Sequence, residues 1–196
     1  MARTKNSIIN ILVSIIGQVF GIVVSFVARI YFINILGTEY LGINGLFTNI
    51  LTILSLVELG IGPAIIYSLY KPLAERDNKK INAIMQLYRK AYIIIGIIIG
   101  LLGILITPFI FYFMKDIPNV KNLQLIFLLF VINSASSYFF AYKRNLVIAD
   151  QKRYIDAMYK YLFFTILNIL QIILLIITQN YINFLILQII STFIEN

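Results

Sequence analysis

Residues 7–33 read SIINILVSIIGQVFGIVVSFVARIYFI, and this run decides the fold. It carries one charged side chain, Arg29, in a stretch that as a helix reaches about 40 Å. A bilayer's hydrocarbon core is ~30 Å thick and takes about 20 apolar residues per helical crossing. The run therefore reads as a transmembrane helix. It is too long for the apolar core of a cleavable signal and lacks a small-residue cleavage site.

The rest of the chain repeats the pattern. Its 196 residues are 61% hydrophobic and only 12% charged, with a mean hydropathy of +0.93. A soluble domain usually has about a quarter of its residues charged, so these charges are too few to cover a globule. Further spans are expected at about 41–70, 91–113, 123–142 and 161–177, with an incomplete one at about 182–196. Gly37 is the expected stop of the first helix, and Gly60-Ile-Gly62-Pro63 should weaken and bend the second. A small turn around Lys115-Asp116-Ile-Pro118 separates the third span from the fourth. The expected fold is all-α, a polytopic bundle of about six helices in one transmembrane unit, residues 1–196. The short last span leads to the expectation that the chain is a fragment or the product of a truncated gene.

Charge fixes the expected orientation. Segments 1–6, 71–90 and 143–160 hold thirteen Lys and Arg, whereas the alternate segments 34–40, 114–122 and 178–181 hold two. This is the positive-inside asymmetry, with the N-terminus in the cytoplasm. The net charge of +8 thus belongs to membrane topology and does not point to nucleic acid. The lysines and Arg89 beside Ile81, Ile84, Met85 and Tyr88 suggest a surface helix at the cytoplasmic interface over 81–90.

The chain has no Cys, no His and no Trp. Disulfides, thiolate metal sites and the commonest general base are therefore missing. The few carboxylates lie mostly in expected loops, so an enzyme is not expected, nor is any cofactor or metal. A membrane enzyme of glycan assembly would need a clustered acidic or His-containing loop, and the sequence has none.

Polar residues inside the spans carry the functional reading. Ser7, Asn10, Ser14, Gly17, Gln18, Gly21, Ser25 and Arg29 follow at spacings of three or four or adjoin one another, so they share one helical face. Such a stripe cannot face lipid cheaply and reads as a cavity wall. Gly17 and Gly21 on their own read as a small-residue packing motif. In the second span Asn49, Thr52, Ser55, Glu58 and Gly62 form a similar face, and an ionisable residue within a span is a functional candidate. Arg29 and Glu58 differ by about 15–20 Å in depth, counted by helix rise from their outer ends, and so read as independent cavity residues, with Arg29, near its helix end, also open to the reading of a snorkelling anchor. Gly96, Gly100 and Gly103 form a packing groove. Asn133 to Ser137, Asn168 and Gln171 suit hydrogen bonds between helices.

The stretches Leu36-Gly-Thr-Glu39-Tyr-Leu-Gly42-Ile-Asn-Gly45-Leu-Phe, Leu56-Val-Glu58-Leu-Gly60-Ile-Gly62 and Tyr67-Ser-Leu-Tyr-Lys71-Pro-Leu-Ala carry a resemblance. Here the chain resembles the start of the bacterial polysaccharide flippases, the Wzx-type branch of the multidrug/oligosaccharidyl-lipid/polysaccharide exporter superfamily. The pattern extends over the whole chain, and the specific signal lies in residues 29–77. The resemblance implies a protein of two pseudo-symmetric lobes in the bacterial cytoplasmic membrane, of which this chain is the N-terminal one with the second lobe absent. It implies transport of undecaprenyl-pyrophosphate-linked oligosaccharide by alternating access through a cationic cavity, with other polysaccharide-assembly proteins as partners. Arg29 then matches a basic residue suited to the pyrophosphate or sugar. Glu58 matches the second-helix acid, suited to coupling or gating. Gln18, Ser25, Asn49 and Ser55 complete the candidate cavity. Gly17, Gly21, Gly60, Gly62 and Pro63 are the candidates for packing or hinging. The alternatives are a cation-coupled small-molecule antiporter of the same superfamily and a truncated membrane protein that does not transport.

Overall fold

The computed structural model describes residues 2–114, 118 and 120–195, with side chains described from residue 9 onward except at 140. The turn expected around 115–118 and the last residue, Asn196, therefore lie largely outside the described residues, as does the side chain of Ser7. All regular structure among the described residues is helical. The chain order is α1 (Ala2–Leu36), α2 (Thr38–Leu54), α3 (Ile61–Glu75), α4 (Asn78–Ile106), α5 (Leu123–Ala149), α6 (Arg153–Thr178) and α7 (Tyr181–Glu195).

Four stretches are long and apolar enough to cross a membrane: Ile9–Leu36, Thr38–Glu58, Asn78–Phe113 and Arg153–Thr178. Helix α5 makes a fifth when its two arms, Leu123–Phe139 and Ala141–Ala149, are taken as one span bent by 43°. Ser137 donates to the Ser134 carbonyl at 2.7 Å, just before that bend. Such back-bonding by a hydroxyl commonly bends a helix. Helix α7 is apolar but shorter. The large side chains left exposed, such as Ile16, Phe26 and Ile177, are those expected to meet lipid rather than water.

The breaks between elements follow local chemistry. Gly37, at φ +91°, separates α1 from α2 without the Cβ penalty of that region. Helix α2 tightens into a 3-10 turn over Ser55–Glu58, and Gly60, at φ +90°, lets the chain restart as α3. Pro63, in the first turn of α3, lacks an N–H where none is needed. The second crossing thus ends at Glu58, and α3 is a separate helix.

Residues 81–90 correct the expectation of a separate surface helix. They form the first part of α4, which runs on without a break into the third crossing. Nothing between Asn78 and Lys90 breaks a helix, and Asp77 caps its start by accepting the Lys80 amide at 3.1 Å. That backbone bond, with the Lys80 ammonium, holds this exposed carboxyl below its ordinary range. The apolar face of Ile81, Ile84, Met85 and Tyr88 packs in the cluster around Leu69 of α3, not against headgroups.

Two apolar clusters hold the bundle. One centres on Phe47, Ile110 and Phe127, and the other on Leu69, Tyr88 and Ile99. Helices α4 and α5 meet along the glycine groove. A Cβ on Gly96 would lie 3.1 Å from the Ala135 carbonyl oxygen, and one on Gly103 would lie 2.5 Å from Val131. Helix α1 is the least buried span and lies mainly along α6.

Candidate functional site

Asn10 fastens α1 to the start of α6. Its Oδ1 accepts the Tyr154 amide at 2.7 Å, and its Nδ2 donates to the Gln151 carbonyl at 3.2 Å. This satisfies an amide that a helix start leaves without an internal partner. Two turns further on, the small residues make room for a ring. A Cβ on Gly21 would stand 3.2 Å from Tyr161 Cε1, and one on Gly17 would collide with the Tyr161 ring.

Beyond Tyr161 the α1 stripe opens onto a cavity of about 500 Å³ between α1 and α6. Gln18, Ser25 and Arg29 line it from α1, and Lys160 lines it from α6. All four are exposed. Two cations therefore face one opening whose remaining wall is largely apolar, including Ile22, Phe26 and Phe164.

Arg29 also lines a second cavity, of about 310 Å³, among α1, α2, α6 and α7. Asn44, Thr48 and Asn49 reach it from α2, and Asn168 and Gln171 from α6. Asn168 and Gln171 are buried, and each directs its amide nitrogen to a main-chain carbonyl: Phe164 at 2.7 Å and Phe184 at 3.4 Å. The structure thus gathers Gln18, Ser25, Arg29 and Asn49 into two adjoining cavities joined at Arg29.

Lys160, Asn44 and Thr48 were not selected from the sequence, and Asn168 and Gln171 were given to interhelical hydrogen bonding with a place in the cavity wall left open. The i, i+4 spacing of Asn44 and Thr48 was a usable signal, since it extends the second polar face by another turn. Lys160 was hidden in an expected loop that is helical from Arg153.

Glu58 stands apart from Arg29. It lines a cavity of about 350 Å³ with Tyr92, Tyr138, Arg144 and Glu195. The Tyr92 hydroxyl donates to Glu58 Oε1 at 2.6 Å and accepts from Asn145 Nδ2 at 3.2 Å. Beside Asn145, Arg144 bonds Asp156 of α6 at 2.6 Å and Glu195 of α7 at 3.1 Å. Gly62 stands against the same hydroxyl, since a Cβ there would lie 3.2 Å from it. Ser55 turns its own hydroxyl to the Thr52 carbonyl at 2.6 Å and lines none of the three cavities.

No group of three or more His, Cys, Asp or Glu that could hold a metal ion occurs among the described residues. What the geometry offers is a cationic opening, an amide-lined cavity beside it, and a separate hydrogen-bonded carboxylate at a chain break.

The MatE family model matches residues 14–174, from the middle of α1 to the last turns of α6. No curated protein and no solved structure matches the chain.

Proposed function

The chain belongs to the MatE family, within the multidrug/oligosaccharidyl-lipid/polysaccharide exporter superfamily, and from that premise we propose that it serves as a Wzx-type flippase for undecaprenyl-pyrophosphate-linked oligosaccharide. Proteins of the MatE family are membrane transporters, so the proposal concerns the cargo. The observation that carries it is an open, otherwise mostly apolar cavity that Arg29 lines toward one end and Lys160 toward the other, about 20 Å apart by helix rise from the Asn10–Tyr154 contact. An anionic head group on a hydrocarbon chain needs both: cations for the pyrophosphate and an apolar flank for the lipid.

The exposed stripe supports a water-filled path. Gln18, Ser25, Arg29 and Asn49 are exposed on helices whose other faces are apolar, and such groups are costly against lipid. We take this unit to be one lobe, whose polar face a second lobe would enclose. The bonds from Asn10 to the 151–154 turn bring the basic N-terminal segment to the basic 143–160 segment. Phe32 and Tyr40 meet Tyr181, which joins the two ends that lack Lys and Arg. Both pairings suit a bacterial cytoplasmic membrane protein with its N-terminus inside.

Glu58 favours a second reading, a cation-coupled antiporter of small molecules, because its carboxylate lies in a cavity with Glu195. The test separates the two. In a strain whose own copy is deleted, Arg29→Ala should insert at the normal level and export surface polysaccharide at least about tenfold less, the loss of a charge-assisted contact of ~1.5–3 kcal/mol. Normal export by the inserted variant defeats the flippase reading. A drug-accumulation defect without an export defect supports the antiporter.

A further inference from the structure

The two cavities that meet at Arg29 differ in chemistry in a way the flippase reading does not use. The larger is cationic, with Arg29 and Lys160. The smaller has no charge besides Arg29 and is lined by four carboxamides, Asn44, Asn49, Asn168 and Gln171, together with the Thr48 hydroxyl. Resting on that reading, we propose that the smaller cavity is a sugar subsite: it takes the neutral ring next to the pyrophosphate, while Arg29, which lines both cavities, takes the phosphates.

Three observations carry this. The first is the donor and acceptor set. A carboxamide offers two N–H donors and an acceptor oxygen on one plane, and a hydroxyl offers both roles. Mixed donors and acceptors without net charge match sugar hydroxyls and acetamido groups better than they match phosphate, which accepts only. The second is that the buried amides are pre-oriented. Asn168 and Gln171 are anchored through their nitrogens to the Phe164 and Phe184 carbonyls, so the carboxamide planes are set before a ligand arrives. A preset plane costs less side-chain entropy on binding. The third is size and flank. A volume of about 310 Å³ stands at the low end of small-ligand pockets, ~300–1,000 Å³, and suits a ring rather than a long glycan. Phe32 and Phe184 stand at its edge, packed edge to face with centroids 5.4 Å apart. They supply an apolar surface for a sugar's C–H face.

Arg29 lines both cavities, so one cargo can occupy both at once with its sugar–phosphate bond beside the guanidinium. Specificity for the first sugar then belongs to α2 and α6, and affinity for the lipid pyrophosphate to Arg29 of α1.

The experiment measures binding by the full chain in nanodiscs to two probes, undecaprenyl pyrophosphate and undecaprenyl pyrophosphate carrying N-acetylglucosamine. Asn168→Leu keeps the side-chain size and removes the polar atoms. Asn49→Ala, at an exposed position, serves should the buried variant not fold. Either should weaken binding of the glycosylated probe about tenfold, the scale of an unsatisfied polar group, and leave the bare lipid within twofold. Arg29→Ala should weaken both probes. Amide variants that bind both probes normally, or that lose both equally, overturn the sugar subsite, as does wild-type protein that does not distinguish the probes. If Arg29→Ala binds both probes normally, the flippase reading falls instead.

Discussion

Replacing Gly17 with Ala tests how α1 is held. A Cβ at this position would stand 2.9 Å from Tyr161 Cζ and closer still to Cδ2 and Cε2. Ordinary carbon contacts lie at ~3.5–4.0 Å, so the ring must retreat by more than ~0.6 Å or the helices must part. The ring is poorly placed to retreat, because its other edge stands against Gly21, 3.2 Å from the Cβ an alanine would add there. Overpacking of this kind costs about 1–3 kcal/mol. At ~2–4 °C per kcal/mol for a chain of this size, Gly17→Ala should lower the thermal midpoint by ~2–12 °C. Gly21→Ala needs a shift of only a few tenths of an ångström and should cost under about 1 kcal/mol. The assay heats detergent-solubilised protein in steps and follows the monodisperse fraction by size-exclusion chromatography. Tyr161→Ala removes the obstacle, so Gly17→Ala in that background should cost almost nothing, a coupling of about 1–3 kcal/mol. Equal midpoints for the Gly17 and Gly21 variants, or an undiminished Gly17 effect without the ring, would refute the packing argument.

Two further predictions concern the Glu58 network. Tyr92→Phe removes the hydroxyl that donates to Glu58 at 2.6 Å and accepts from Asn145; losing the charge-assisted bond, about 1.5–3 kcal/mol, should raise hydrogen exchange over residues 56–64 and leave α6 unchanged, and uniform exchange across the bundle would contradict it. Arg144→Ala strands Asp156 and Glu195, whose side chains are 18% and 25% exposed; it should destabilise by about 2 kcal/mol, below the ~3–5 of a fully buried pair, and a midpoint equal to wild type would show that the network contributes no stability.

Much of this architecture was legible in the sequence, because bilayer thickness converts apolar run length into helices. The stripe on α1 was legible as well, since spacings of three and four hold along a straight helix whatever it packs against. The failures come from tertiary contact. The face of Ile81, Ile84 and Met85 has the same periodicity whether it meets headgroups or a helix, and only the fold shows α3 lying on it. Asn168 and Gln171 carried two compatible readings for the same reason. Gln171 bonds a main-chain carbonyl of α7, as interhelical packing suggests, Asn168 bonds back within α6, and both line a cavity whose other wall is on α2. Lys160 needed knowledge that α6 begins at Arg153, about two turns before the apolar run.

The separation of Arg29 from Glu58 constrains any mechanism. Counted from the Gly37 break, Arg29 lies about 11 Å along α1 and Glu58 about 30 Å along α2. The difference, about 20 Å, exceeds the reach of one pyrophosphate, so one head group cannot bridge them. Influence between the two must travel through a helix, and α2 is placed to carry it. Its body presents Asn44, Thr48 and Asn49 to the cavity at Arg29, and its end carries Glu58, bonded to Tyr92 just before the Gly60 break. A helix that ends at a flexible residue can tilt as a rod with little change in its own hydrogen bonds, which is how hinged elements move. The Glu58–Tyr92 bond holds that end. Tyr92 is in turn held by Asn145, whose neighbour Arg144 binds α6 and α7. The Glu58–Tyr92 bond thus ties the end of the α2 wall to α4 and, through Asn145, to α5.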